Sequence, residues 1–204
     1  MENRKIDFEK VAVLVVDIQN DFCDNEGIFA QQGLNVKPAQ IITPKIEEFI
    51  KKIRRYDLLV IYTKQIEHED ITPQNLKRQF NAGKLKPVCS PNSWGSELYK
   101  LKPLKNEFII EKYTYDVFSN PKLHGILNEN KIKTIVVIGV NTDICVDTTV
   151  RSAFTKGYQI VVLKDLVATM NKQSERYYLD IFNRFFGDVM HSKKFISFLS
   201  KMEV

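Results

Sequence analysis

Short, continuous apolar runs alternate along this chain with segments whose apolar positions recur at helical spacing. Residues 11–16, VAVLVV, form the first run, and Asp17 follows at once. Residues 58–62 (LLVIY), 107–111 (EFIIE), 134–138 and 159–163 (QIVVL) repeat the pattern. Runs of this length without polar alternation read as strands buried on both faces. Between them, Ile46, Phe49, Ile50 and Ile53 mark a helix face over 44–55. A short helix is expected over 121–130. Another is expected over 144–156, on Val146, Val150 and Ala153, with Gly157 as its stop. Tyr177, Tyr178, Ile181, Phe182 and Phe185 predict a helix over 173–186, and the last apolar piece, 195–199, reads as a sixth strand or a final helix turn. Residues 24–38 read as a loop. The stretch 63–103 reads as a long irregular section holding Pro73, Gly83, Pro87, Pro91, Gly95 and the only tryptophan, Trp94. Loops that long inside a compact domain are usually functional.

Strands alternating with helices predict an α/β fold. The expectation is a three-layer α/β/α arrangement around a mostly parallel, roughly six-stranded, Rossmann-like sheet. Without a repeat, low-complexity tract or linker, residues 1–204 read as a single domain.

Composition changes this picture little. The chain is 44% hydrophobic and 27% charged, with a formal net charge of +5 spread without a like-charged block. That is a solvated surface and not a nucleic-acid footprint. The first ten residues, MENRKIDFEK, are polar and do not read as a signal peptide, and no apolar run approaches a membrane span. Three cysteines, Cys23, Cys89 and Cys145, are an odd and sparse set. Free thiols in a reducing, cytoplasmic setting are therefore expected, with no structural zinc, metal or cofactor.

Topology then selects the chemistry. In an open parallel sheet, ligands bind beyond the carboxyl ends of the strands. Asp17 follows the first strand, Lys112 the third, and Cys145 lies just past the fourth in the first turn of a helix. An acid, an amine and a thiol are thus delivered to one crevice. A helix N-terminus and a nearby cation favour thiolate. Cys145 could attack a carbonyl carbon, Asp17 could take the thiol proton and hand it to a leaving amine, and Lys112 could hold the carboxylate and lower the thiol pKa. His68, His124 and His191 lie away from strand ends, so a Cys–His dyad is the weaker reading. Each of the three strand-end residues alone has a structural explanation, as cap, solvated edge or packed thiol; their shared edge sets them apart.

Phe22, Trp94, Tyr115 and Phe118 flank this edge as candidates for an aromatic wall around a small, flat amide, with ordinary core packing as the alternative. Gln19 and Asn20 either donate to a substrate carbonyl or close the turn. Asp143, close to Cys145 in sequence, is expected to point away and cap the helix. Cys23 reads as a neighbour of the site and Cys89 as inert.

The segments VAVLVVDIQNDF, EKYTYDVF and GVNTDICV, in this order, resemble the isochorismatase-like cysteine hydrolases. The resemblance spans about residues 10–190. It implies that Asp17, Lys112 and Cys145 form the family's triad. It further implies a cis peptide between Val140 and Asn141, and an oxyanion hole made by the backbone N–H groups of Asn141 and Cys145. Nicotinamidases in this superfamily carry an Asp-x-His…His metal motif after the second strand; here the segment reads TKQIEHED. CSPNSWGSEL and LDIFNRFFGDVM are similar in pattern to the ureidoacrylate and biuret hydrolase branch, with N-carbamoylsarcosine amidases alongside. The implied activity is cleavage of a small N-carbamoyl or ureido amide through a thioester, releasing ammonia. The implied assembly is a homodimer or homotetramer. Nicotinamidase activity, a non-catalytic binding protein on the same fold, and a redox thiol protein are the competing readings.

Overall fold

The computed structural model describes Phe8 and residues 10–201. In chain order, β1 (Val11–Val16) leads through α1 (Asn20–Cys23), α2 (Ile28–Gln31) and α3 (Lys37–Ile53) to β2 (Leu59–Gln65). Then come α4 (Gln74–Asn81), a 3-10 turn (Trp94–Ser96), β3 (Phe108–Lys112), a second 3-10 turn (Val117–Ser119) and α5 (Pro121–Glu129). β4 (Thr134–Val140) runs into a π-helical turn (Thr142–Val146) and α6 (Asp147–Thr155). β5 (Gln159–Ala168), α7 (Lys172–Ile181), a second π-helical turn (Phe182–Phe186), β6 (Asp188–Met190) and α8 (Ser192–Ser200) complete the described chain. Among the described residues, no helix is long and apolar enough to cross a membrane.

All strands are parallel, in the order β3-β2-β1-β4-β5-β6. This is the doubly wound order, and its direction reverses between β1 and β4, where a crevice opens beyond the strand ends. Successive residues of β1 serve opposite layers. Val11, Val13 and Val15 join the core under α3 and α8. Ala12, Leu14 and Val16 join the core shared with α5 and α6. Both faces are covered, which is why VAVLVV and TIVVIGV are continuous apolar runs. Where β1 and β4 leave the sheet they nearly touch. Gly139, at φ 118°, lies so close to the backbone of Val16 that a Cβ there would overlap it.

The structure revises several boundaries. β2 runs on to Gln65 and β4 to Val140. Lys112 is the last residue of β3 instead of following it. β5 continues past a register shift to Ala168, so Asp165 lies within the strand. Residues 195–199 are helical, and the sixth strand is Asp188–Met190, too short to show a period. α3 begins at Lys37, ahead of the expected 44–55, and contains Pro44. The irregular section shrinks because α4 and the end of β2 occupy part of it.

Candidate active site

Period-two alternation builds the site. On β2, Ile61 faces the α5–α6 layer, so Thr63 and Gln65 face the same way. On β3, Ile110 faces that layer, and so does Lys112. Gln65 and Lys112 are direct register partners. Cys145 enters the same layer from the π-helical turn after β4. Four side chains distant in sequence therefore converge beside Asp17, the first residue past β1.

Asp17 and Lys112 are both buried and paired, with Lys112 Nζ 2.8 Å from Asp17 Oδ2. Asp17 sits in the left-handed region at φ 49°. Thr63 Oγ1 accepts its backbone N–H at 3.2 Å and donates to its Oδ1 at 2.6 Å. Lys112 Nζ also donates to Gln65 Oε1 and to the Thr114 carbonyl, each at 3.0 Å. The sulfur of Cys145 lies 3.5 Å away. An ammonium has three N–H bonds, and here four acceptors surround it. Burial would lower the proton affinity of Lys112, but the Asp17 charge, with the contact to Cys145 after it, outweighs burial and holds the lysine above its ordinary value.

The thiol differs from expectation. Burial pushes the Cys145 pKa well above its ordinary value; Lys112 opposes this, and the nearby Asp17 carboxylate reinforces it. The expected lowering by a helix end and a cation loses to desolvation, and the resting group is a neutral thiol. Cys145 also lies two residues before α6, inside the π-helical turn, instead of in the first turn of that helix.

Gln65 is the residue that sequence reasoning missed. Its Oε1 accepts from Lys112 and lies 3.6 Å from Cys145 Sγ. The available signal was the strand-end rule itself, applied to a β2 that ends three residues later than expected. Gln19 and Asn20 are spent on closing the turn. Gln19 Nε2 donates to the carbonyls of Gln65 and Ser96 at 2.9 and 3.0 Å, its Oε1 accepts from Gln65 N, and Asn20 Nδ2 donates to the Trp94 carbonyl. Asp143 does point away, accepting from Thr169 and Ser174, but it makes no helix cap.

The four candidate aromatics are spread out. Tyr115 is partly buried and lies near Cys145. Trp94 is half exposed above Asn20. Phe22 stacks edge-on against Phe29 in the α3 layer, with ring centroids 4.8 Å apart. Phe118 stacks on Tyr158 at the start of β5, with centroids 6.0 Å apart. The histidines pair elsewhere, with Asp70, Tyr158 and Asp165. All three cysteines are free thiols, and burial pushes those of Cys23 and Cys89 up.

In the TKQIEHED segment, Lys64 pairs with Glu97 at 3.2 Å, Gln65 Nε2 donates to Glu67, and His68 faces Asp70 at the surface. Among the described residues no three His, Cys, Asp or Glu side chains gather as a metal-binding set. The side chains present in this segment do not fit the metal of the nicotinamidase motif.

Comparison with known proteins bears on the family and the fold. The isochorismatase domain model matches residues 11–194. An uncharacterised isochorismatase family protein of Bacillus subtilis is 34% identical over 165 residues, covering 80% of this chain and 81% of that protein. The ureidoacrylate amidohydrolase of Acinetobacter baylyi is 26% identical over 208 residues, covering 93% and 83%. Among solved structures, a nicotinamidase of Bacillus subtilis superposes with a TM-score of 0.75 at 26% identity, covering 89% of this chain and 99% of that one.

Proposed function

The chain belongs to the isochorismatase family of hydrolases, and from that premise we propose that it is a cysteine amidohydrolase with Cys145 as nucleophile, Asp17 as acid–base and Lys112 as its fixed cation. The observation that carries this reading is the contact set around one ammonium. Lys112 Nζ lies 2.8 Å from Asp17 Oδ2 and 3.5 Å from Cys145 Sγ, all three groups being buried.

The sequence of steps follows from who holds the proton. At rest Asp17 is a carboxylate and Cys145 a thiol. As Cys145 Sγ bonds to the substrate carbonyl carbon, its proton passes to Asp17. The lysine's N–H, released by the neutralised carboxyl, turns to the sulfur. The new oxyanion is held by the backbone N–H groups of Asn141 and Cys145, which flank the turn after β4. Asp17 then protonates the departing nitrogen, the C–N bond breaks, and ammonia leaves a thioester. Water, giving its proton to Asp17, attacks that carbonyl. The C–S bond breaks and the proton returns to sulfur.

The favoured substrate is a small N-carbamoyl or ureido compound, whose acyl-enzyme is a thiocarbamate. Two observations support it: the Acinetobacter relative is an amidohydrolase of ureidoacrylate, and TKQIEHED carries no metal-ligand set. Tyr115 is the aromatic best placed to line the substrate, with Trp94 at the rim; Phe22 and Phe118 support the surrounding layers. The same reading makes the chain one domain that works in the cytoplasm as a homodimer or homotetramer.

Ammonia release is the test, across nicotinamide, biuret, ureidoacrylate, N-carbamoylsarcosine and N-carbamoyl amino acids. Turnover of a ureido or carbamoyl member, lost in folded Cys145→Ala, is expected. Full activity in that variant would overturn the mechanism, and activity on nicotinamide alone would overturn the substrate class.

A further inference from the structure

We infer that Glu67 locks the side-chain amide of Gln65 with its carbonyl toward Lys112 and Cys145, and that this fixed carbonyl decides which acceptors the three N–H bonds of Lys112 reach. The inference rests on the reading of Cys145 as nucleophile and adds two positioning residues to it.

The amide has only one good orientation. Gln65 is buried at the end of β2, and its backbone is pinned on both sides by Gln19. Its Nε2 donates to Glu67 Oε1 at 2.5 Å, and its Oε1 accepts from Lys112 at 3.0 Å. Turned over, the amide would set its NH2 against an ammonium and its carbonyl against a carboxylate. Glu67 is itself buried and held, with Oε2 accepting the Val88 N–H at 2.9 Å. Both of its oxygens thus face N–H donors, which suits a carboxylate. Burial raises its proton affinity and Asp21 adds to this, while the Val88 and Gln65 donors and Lys112 oppose it.

The consequence falls on the sulfur. Lys112 donates to Gln65 Oε1 and to the Thr114 carbonyl at 3.0 Å each and to Cys145 Sγ at 3.5 Å, with Asp17 Oδ2 2.8 Å away as a fourth acceptor. Cys145 Sγ, at 3.5 Å, competes with oxygens that are closer and harder acceptors. The other groups that bear on the sulfur are Asp17 and, from the turn after β3, Tyr115; Asp143 is turned toward Thr169 and Ser174. With four acceptors around three N–H bonds, the sulfur receives only the longest contact, and the thiol keeps its proton, which faces Gln65 Oε1 at 3.6 Å, until it moves to Asp17. Without the Gln65 carbonyl, the thiol loses the acceptor that its proton faces and Lys112 loses one of the oxygens that compete with sulfur, so thiolate is favoured before substrate arrives. A thiolate stabilised in the ground state is less nucleophilic and gains less in the transition state.

The experiment uses Gln65→Leu and Glu67→Gln in the full-length protein, with iodoacetamide alkylation of Cys145 followed by peptide mass spectrometry across pH. In Gln65→Leu the alkylation midpoint should fall by about one pH unit; the thiolate fraction near neutrality then rises about tenfold and, since that thiolate is less nucleophilic, the rate about threefold. Glu67→Gln should move the midpoint in the same direction by less. On the best substrate of the panel, kcat should fall about tenfold or more with KM little changed. A folded Gln65→Leu protein with an unmoved alkylation profile would overturn the inference; if that variant does not fold, an unmoved profile in Glu67→Gln does so. Alkylation needs no turnover, so the two readings fail separately. An active Cys145→Ala variant sinks the mechanism, while an unmoved profile beside a dead Cys145→Ala sinks only the pair.

Discussion

Thr63 grips Asp17 twice, accepting its backbone N–H at 3.2 Å and donating to its carboxylate at 2.6 Å. The double contact explains how an aspartate rests at φ 49°, a conformation that costs a non-glycine residue about 1–3 kcal/mol when nothing holds it. It also leaves the second carboxylate oxygen free to face Lys112. Valine has nearly the shape of threonine and neither hydrogen-bonding role. Thr63→Val should therefore lose about 1–3 kcal/mol in urea unfolding. Ammonia release should drop about 10- to 100-fold as the carboxylate loses its aim. A Thr63→Val enzyme with native turnover would show that β2 positions nothing.

The Asp17–Lys112 pair sets up a second experiment. Removing one partner strands a buried charge, at a cost of about 3–5 kcal/mol, whereas removing both does not. Lys112→Met and Asp17→Asn should each destabilise the protein strongly. The double variant should be more stable than the sum of the two losses predicts. All three should be inactive. Additive losses in chemical denaturation would mean that the pair is not coupled in the folded protein.

A third prediction concerns pH and lies outside the site. Asp165, within β5, accepts the N–H of Ser192 at 2.8 Å and its hydroxyl at 2.6 Å, fastening the start of α8. Burial alone would raise this carboxyl, but the two Ser192 bonds, with His191 alongside, outweigh it and hold it below its ordinary value. A folded pKa below the unfolded one gives stability that is present above the unfolded value and is lost as pH falls through the folded one. Ser192→Ala should cost about 0.5–2 kcal/mol at neutral pH. The gap from wild type should narrow as pH falls from the unfolded carboxyl's range through the lower folded value, where the carboxylate becomes protonated in both. An equal gap at both ends of that range in urea titrations would refute the assignment.

The sequence made the sheet legible because strands covered on both faces leave unbroken apolar runs. Asp17, Lys112 and Cys145 were legible because each ends or follows such a run. Thr63 and Gln65 were not, because buried polar residues at a strand's end look like the start of a loop. The apolar run stops at Tyr62 while β2 continues. Extending the alternation from Ile61 would have found both. The protonation of Cys145 was beyond a local reading, since its burial is assembled from several strands. Phe118 shows the limit of nearness in sequence. Six residues after Lys112, it lies against Tyr158, at the start of β5.

Gly139 gives the arrangement its scale. Where β1 and β4 part, its missing side chain lets the backbone of Val16 come close enough that any Cβ would collide with it. The next residue after one strand is Asp17, and in the turn that follows the other is Cys145. The gap across which a proton must hop is therefore gauged by a hydrogen atom standing where every other amino acid has a carbon. A methyl group at that point would act as a shim between donor and acceptor, mistuning the chemistry without touching any group that performs it.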